Sequence, residues 1–312
     1  MPMFVSYSSL NSFRKCPRFY WWKHIRRLEK RSFVLPFIVG RIMHHGIQTL
    51  FNDPANAEKV VKKAYKDEAQ KARKEFPQLS IDDEEDLVQQ ECITAGMLAA
   101  FKYKFSKFLA QTKHVATEKS IIYEMNKHVT VVAKLDNVIE NQGKRYVYEL
   151  KNLKSLDAQR IRNIRTDPQT GLYFEIHNRT EKKKENWLDG IIYKIIRKPQ
   201  IRQRKNESKG QFLERLREWY MDSSDVKMHL ERLNKPFIAG DAVLNTVDKV
   251  TQQMLNCKTK EHYYQDFSMC IREWGRCSMY ELCHEGETPA NLKLYSIRPK
   301  FKVEKDADEE DV

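Results

Sequence analysis

Glu149 and Lys151 are separated by one residue, Leu150, inside a run rich in β-branched and aromatic residues, Arg145 to Lys154. Alternate residues of a strand share a face, so the carboxylate and the amine stand together while Leu150 points away. A second run of the same character, Val129 to Glu140, precedes it, and Asn141-Gln-Gly-Lys144 between the two is a hairpin signal. If Gln142-Gly143 is a two-residue turn, Asp136 sits directly across from Glu149, with Cβ atoms about 5 Å apart. Two facing carboxylates repel each other unless a cation lies between them. A divalent metal suits that place, and the Leu150 carbonyl could add an oxygen ligand. The ordinary alternative is a solvated hairpin. Glu-x-Lys is common in a chain that is 32% charged, and a longer turn would shift the pairing.

Lys134-Leu-Asp136 followed by Val147-Tyr-Glu149-Leu-Lys151 resembles the core motif of the PD-(D/E)XK nucleases. Gly40-Arg-Ile-Met-His44 is similar to the Gly-x-x-x-His segment of their RecB-like exonuclease branch. Gln169-Thr-Gly-Leu-Tyr173 is similar to its Gln-x-x-x-Tyr helix motif, and Tyr7-Ser-Ser-Leu10 through Cys16-Pro17 to its N-terminal segment. Phage- and prophage-encoded members look similar around Asp189-Gly-Ile-Ile-Tyr193 and Ile196-Arg-Lys-Pro199. The resemblance implies an α/β, restriction-endonuclease-like core with a central mixed sheet flanked by helices. It implies hydrolysis of phosphodiester bonds in DNA, exonucleolytic on single strands or duplex ends. The setting would be phage or microbial DNA replication, recombination or repair, with a helicase or recombinase as a conceivable partner.

The same resemblance implies roles. His44, Asp136 and Glu149 would bind Mg²⁺ or Mn²⁺, the nitrogen ligand making Mn²⁺ plausible. Lys151 would orient or help deprotonate the attacking water, or stabilise charge on the phosphate. Gln169 and Tyr173, four apart on a helix, share a face and would position the DNA backbone. Read without it, His44 is a structural helix histidine with His45 beside it, Tyr173 a core residue and Gln169 a surface one. The competing function is a non-catalytic nucleic-acid-binding module that keeps the fold and a structural iron–sulfur or zinc site. The full set of expected catalytic residues argues against it. A zinc-stabilised interaction domain would leave the Asp136, Glu149 and Lys151 arrangement unexplained.

Helices and strands that would carry these residues follow from periodicity and punctuation. Residues 6–28 are helix-prone, and 37–51 form a helix bearing Gly40 and His44. A charged helix over 56–75 has few large apolar residues and belongs on the outside. A longer one over 82–112 opens on the acidic run Asp82 to Asp86, which suits the positive end of a helix. Lys119 to Tyr123 reads as a strand. After the hairpin, Ala158 to His177 reads as helix broken near Pro168, Leu188 to Arg197 as strand and Lys209 to Tyr220 as amphipathic helix. Val226 to Leu233 reads as strand and Pro236 to Asn256 as helix. The expected organisation is one nuclease domain over 1–303, with a helical insertion at 45–115, a cysteine segment at 257–284 and a disordered acidic tail at 304–312.

Three of the six cysteines, Cys270, Cys277 and Cys283, lie close together near the C-terminus, which points to metal or cluster ligation. The absence of a basic-then-apolar start over Met1 to Leu10, or of any run long enough to cross a bilayer, gives a cytoplasmic expectation. For a phage-encoded chain that is the bacterial host's cytoplasm. There a disulfide framework is not expected. Several RecB-like nucleases clamp their ends with a [4Fe–4S] cluster on one N-terminal and three C-terminal cysteines, and Cys16, Cys270, Cys277 and Cys283 resemble that set. The interval of six residues before Cys277, where two is commoner, sets Cys270 apart. Zinc on the same thiolates, or with His284 replacing one, is the alternative, and plain buried cysteines a third. Cys92 and Cys257 are expected to be free. Formal net charge is +13, with −5 on the last nine residues and hence +18 on the rest. Such a surplus suits a polyanion such as DNA, because each neutralised phosphate releases counterions. The aromatic stretch Phe19-Tyr-Trp-Trp22 among Arg14, Lys15, Arg18, Lys23, Arg26 and Arg27 could stack bases. It reads better as core, with the basic residues outside.

Overall fold

A computed structural model describes residues 2–31, 35–77, 79–153, 158–221, 227–234, 236, 239–272 and 275–299. The expected acidic tail lies outside the described residues. In chain order the elements are β1 (Met3–Val5), α1 (Tyr7–Lys15), α2 (Pro17–Tyr20), a π-helical turn (Trp21–Ile25), β2 (Leu28–Lys30) and α3 (Leu35–Asn52). There follow α4 (Ala57–Glu75), α5 (Ile81–Lys104), α6 (Ser106–Ala110), β3 (Thr112–Asn126), β4 (Val129–Asn141) and β5 (Lys144–Leu153). Then come α7 (Ala158–Arg165), α8 (Pro168–Thr180), β6 (Gly190–Arg197), α9 (Lys209–Met221), β7 (Met228–Leu233) and α10 (Asp241–Asn256). The main sheet has the order β1-β4-β5-β6-β7, with β3 also on β4. It is a central mixed sheet flanked by helices, as a restriction-endonuclease-like core requires. Among the described residues no helix is long and apolar enough to cross a membrane.

The chain forms two compact units. The larger comprises Phe33–Ile121 and Lys134–Ala239. Its framework is the β4–β5 hairpin. Gln142 (φ 55°) and Gly143 (φ 73°) both occupy the left-handed region, as a type I′ turn requires, and that turn matches the twist of its strands. The pairs run from Asn141↔Lys144 to Asn137↔Tyr148, the register expected from a turn at Gln142-Gly143. The paired ladder ends at Asn137↔Tyr148; one step further in the same count brings Asp136 to Glu149, and the two carboxylates are near enough for the Asp136 charge to raise the Glu149 pKa. β5 and β6 are parallel, Glu149 beside Tyr193 and Lys151 beside Ile195. A parallel pair needs a crossover, and α7 and α8 supply it, with the break falling before Pro168. β7 closes the edge antiparallel to β6.

The two faces of β5 have opposite fates. Tyr146, Tyr148 and Leu150 enter a core built with Met43 and Ile47 of α3, Leu87, Met97 and Phe101 of α5, and Phe212 and Leu216 of α9. Glu149 and Lys151 face the other way. Ser80 caps α5 by accepting from the Asp83 amide, and Asp82, Asp83 and Glu84 occupy its first turn, where carboxylates favour the helix dipole. α4 is less external than its composition suggests: Val61, Tyr65, Ala69 and Ala72 are buried on one face. β3 is far longer than Lys119 to Tyr123, because its pairing with β4 imposes strand on a segment of mixed propensity.

The smaller unit comprises Met1–Ser32, Ile122–Ala133 and Gly240–Val312. β1 pairs in parallel with the start of β4, from Met3↔Val129 to Val5↔Val131. Ser6 and Ser9 form a capping box at α1. β2 pairs antiparallel with Tyr295–Ile297. Trp22, Leu28, Met279, Leu282 and Tyr295 form a core between chain segments far apart in sequence. Tyr20 and Trp22 are buried, so the aromatic stretch does serve as core. The expected helix over Pro236 to Asn256 starts only at Asp241, after Gly240 in the left-handed region (φ 74°).

Candidate active site

Four elements of the larger unit deliver the site. Asp136 comes from β4 and Glu149 and Lys151 from β5, while His44 comes from α3 and Gln169 and Tyr173 from α8. The Lys151 amine donates to Glu149 Oε1 at 2.7 Å, and His44 Nδ1 lies 3.2 Å from Asp136 Oδ2. Each carboxylate therefore has a base on it. Burial raises the Glu149 pKa; Lys151 opposes that and the nearby Asp136 charge adds to it. Burial would lower the His44 pKa, yet the hydrogen bond and charge of Asp136, with the charge of Glu149, hold it above the usual value. Burial likewise works against the Lys151 cation, and the carboxylates of Glu149, Asp167 and Asp136 outweigh it. Two carboxylates and two basic side chains thus share one partly buried site, where the protonation of Glu149, His44 and Lys151 depends on their neighbours.

His44 and Asp136 also line a groove of about 600 Å³ with Gly40, Arg41, His45, Gln48, Glu118 and Asn137. A Cβ at Gly40 would meet nothing within 4 Å among the described residues, so the missing side chain leaves that wall open. Among these residues, no group of three or more His, Cys, Asp or Glu side chains is arranged to hold a metal ion. The donor set nevertheless fits one in kind. Two carboxylates and an imidazole suit Mg²⁺ or Mn²⁺, and each carboxylate is paired here with a basic side chain whose place a cation could take. His45 lines the same groove but is exposed, and among the described residues it is His44 that pairs with Asp136. His44→Ala is therefore expected to weaken Mn²⁺ affinity about tenfold or more, so that excess Mn²⁺ partly restores activity, whereas His45→Ala changes little. Metal titrations of both variants check this, and an essential His45 with a dispensable His44 would contradict it.

Gln169 and Tyr173 meet as their spacing predicts, with Gln169 Nε2 donating to the Tyr173 hydroxyl at 3.3 Å. Burial pushes the Tyr173 phenol up to about 12 against the Gln169 hydrogen bond. α8 is fixed over the Glu149 face by Thr170, whose hydroxyl is hydrogen-bonded to Tyr193, the neighbour of Glu149 on β6.

Two residues here escaped the sequence reading. Asp167 caps α8, accepting from the Gln169 amide at 2.9 Å, and its other oxygen lies 3.9 Å from the Lys151 amine. It ties the lysine to the Gln169/Tyr173 helix. An Asp before Pro is a legible cap; its link to Lys151 is not. Asp167→Asn keeps the cap and removes the charge, so turnover should fall about tenfold or more with an unchanged melting temperature. Asp167→Ala should also cost about 1 kcal/mol of stability. Full turnover in the Asn variant would show that the 3.9 Å pairing does nothing. Glu118, paired with Lys134 at 2.9 Å, has φ 49° within β3. That local distortion, which nothing in the sequence signals, accompanies a second carboxylate on the groove beside Asp136.

The cysteines of interest lie in the smaller unit. Cys16 Sγ accepts from the Phe19 and Asp266 amides, both at 3.4 Å. Cys283 Sγ accepts from the Trp22 indole at 3.2 Å. Burial pushes the Cys283 thiol up to about 11; the Trp22 hydrogen bond opposes this, and Cys277 and Cys16 are near enough to add to it. The Cys277 amide donates to the Cys270 carbonyl at 2.8 Å, while Cys270 Sγ is 3.4 Å from His284 Nε2. Donors aimed at sulfur are what an iron–sulfur thiolate accepts. Four thiols in one unit are the donors in kind that a cluster or zinc takes, but among the described residues they are not gathered into a group arranged to hold a metal, and Cys270 is turned toward His284. Cys92 is buried within α5, and the Cys257 thiol donates to the Gln253 and His262 carbonyls.

A family model described as the PD-(D/E)XK nuclease superfamily matches residues 5–284, a span containing every residue of the site and all six cysteines. No curated protein matches the chain.

Proposed function

We propose that this chain, which belongs to the PD-(D/E)XK nuclease superfamily, is a divalent-metal-dependent DNA exonuclease of the RecB-like branch. The observation that supports the reading is the grouping of Asp136 and Glu149 near one another beyond the end of the β4–β5 ladder, with Lys151 on Glu149 and His44 on Asp136. His44, Asp136, Glu149 and the Leu150 carbonyl would hold Mg²⁺ or Mn²⁺. When bound, such an ion lowers the pKa of its water and neutralises charge developing on the phosphate. Hydrolysis joins a water oxygen to phosphorus and breaks the bond to the leaving oxygen, which takes up a proton. Lys151, whose ammonium form is favoured beside three carboxylates, holds its proton toward the reacting phosphate and keeps Glu149 in place. Asp167 orients Lys151 against α8, and Gln169 with Tyr173 positions the strand.

In the smaller unit, Cys16, Cys270, Cys277 and Cys283 would hold a [4Fe–4S] cluster, zinc being the alternative. Its role would be structural, since phosphodiester hydrolysis transfers no electrons. In this reading the protein acts in the cytoplasm, in phage or microbial DNA replication, recombination or repair, with a helicase or recombinase as its partner.

Linear and circular DNA of one sequence, single- and double-stranded, test the exonuclease reading when incubated with Mg²⁺ or Mn²⁺. Loss of linear DNA with circles intact is expected. Cleavage of circles at the same rate would make the enzyme an endonuclease.

A further inference from the structure

The basic residues around the buried aromatics of the smaller unit are mostly accounted for. Arg26 pairs with Glu287 at 3.1 Å, Lys30 with Glu281 at 2.5 Å, and Arg18 donates to the Tyr263 carbonyl at 2.7 Å. Arg27 and Arg298 differ. The Arg298 amide donates to the Arg27 carbonyl at 2.7 Å, which holds the two residues side by side. Arg27 occupies the left-handed region (φ 54°), a conformation costing a non-glycine residue about 1 kcal/mol or more. The Arg298 guanidinium donates from Nη2 to the Lys23 carbonyl at 3.0 Å. Its Nε is buried with no partner among the described residues.

Both arginines line a cavity of about 150 Å³ with Ser6, Ser9, Tyr20 and His24. All six side chains can donate a hydrogen bond, and no carboxylate is among the lining residues. Ile25 and Pro299, also in the lining, are exposed and open it to solvent. The N-terminus of α1 is already closed by its Ser6/Ser9 box and is not what recommends the cavity. Its field is positive: burial, then the charges of Arg298 and Lys23, lower the His24 pKa to about 3. Among the described residues, Glu29 is an acid near this group, and it bears on Lys23. Two guanidiniums with no carboxylate partner among the described residues, in a cavity whose lining holds no carboxylate, are what a tetrahedral oxyanion needs.

We propose that this cavity is a second phosphate-binding site, made by Arg27 and Arg298, that takes a backbone or terminal phosphate of the DNA strand. No residue of the catalytic set contributes to it. Naming DNA as the source rests on the nuclease reading; oxyanion binding itself does not.

The test uses the full chain with Glu149→Gln to prevent cleavage, alone and combined with Arg27→Gln or Arg27→Lys. Short single-stranded DNA is titrated at several salt concentrations, and inorganic phosphate is titrated while the His24 ring is followed by NMR. Arg27→Gln should weaken DNA binding about tenfold and reduce the salt slope by about one, with the Lys variant recovering part of the loss. Phosphate should shift the His24 resonances in the parent and not in Arg27→Gln. Parent-like DNA affinity and slope in Arg27→Gln, with His24 unmoved by phosphate, would overturn the proposal. A phosphate-induced shift with unchanged DNA binding would overturn DNA as the source, leaving a site for free phosphate. The wild-type chain is assayed for cleavage in parallel. DNA cleavage there, with parent-like binding in Arg27→Gln, sinks this site alone; failure to cleave sinks the nuclease reading.

Discussion

Glu149→Gln and Asp136→Asn should each lose DNA cleavage by on the order of 10³-fold or more while DNA binding changes little. The size follows from what the carboxylates do. A bound metal supplies several kcal/mol of charge stabilisation in phosphoryl transfer, and each 1.36 kcal/mol is tenfold in rate. Either substitution removes half of the facing carboxylate pair, and the amide keeps the shape. Stability should hold or rise, because Glu149 is buried beside a second carboxylate and its pKa is raised mainly by that burial. A neutral isostere relieves this desolvation, at the cost of the Lys151 pairing. Single-turnover cleavage, DNA binding and melting temperature, measured on the same preparations, separate the terms. Wild-type rates in either variant would remove that carboxylate from the site.

The second large effect belongs to the cysteines. Anaerobically purified protein should be brown, with about four iron and four sulfide per chain if the site is [4Fe–4S]. Cys16→Ser, Cys277→Ser or Cys283→Ser should bleach it and lower the melting temperature by about 10 °C, a loss of a few kcal/mol for a chain of this size. A cross-link from Cys16 to Cys283 closes a very long loop and restricts the unfolded chain accordingly. Cys92→Ser should leave the colour unchanged, since Cys92 lies buried in a helix of the other unit. Activity should fall only as far as folding does. Stoichiometric zinc without iron, after anaerobic preparation from iron-replete cells, would replace the cluster with zinc on the same residues.

Local rules account for much of what was legible. The Asp136–Glu149 opposition follows from one glycine at the turn and two strands of the right composition, because a hairpin's register is counted from its turn. Gln169 and Tyr173 meet because a helix places i and i+4 together. His44 against Asp136 was expected only through the family resemblance, since a helix and a strand more than 90 residues apart share no local signal. Asp167 shows the same limit within one residue: its cap is readable and its approach to Lys151 is not. Glu118 depends on a left-handed residue inside a long strand, which tertiary pairing imposes. The Arg27–Arg298 cavity joins positions 271 apart that no spacing rule connects.

Metal-dependent hydrolysis by the Asp136, Glu149 and Lys151 group is the central claim, and cleavage of end-labelled linear DNA by the wild-type chain tests it most directly. The protein is first stripped with EDTA and then given Mg²⁺ or Mn²⁺. The stripped enzyme should bind DNA and leave it intact, and millimolar metal should restore cleavage in wild type and not in Glu149→Gln. Cleavage that survives EDTA, or that Glu149→Gln performs as well as wild type, would contradict the account, as would folded, DNA-binding protein that cleaves nothing with either metal.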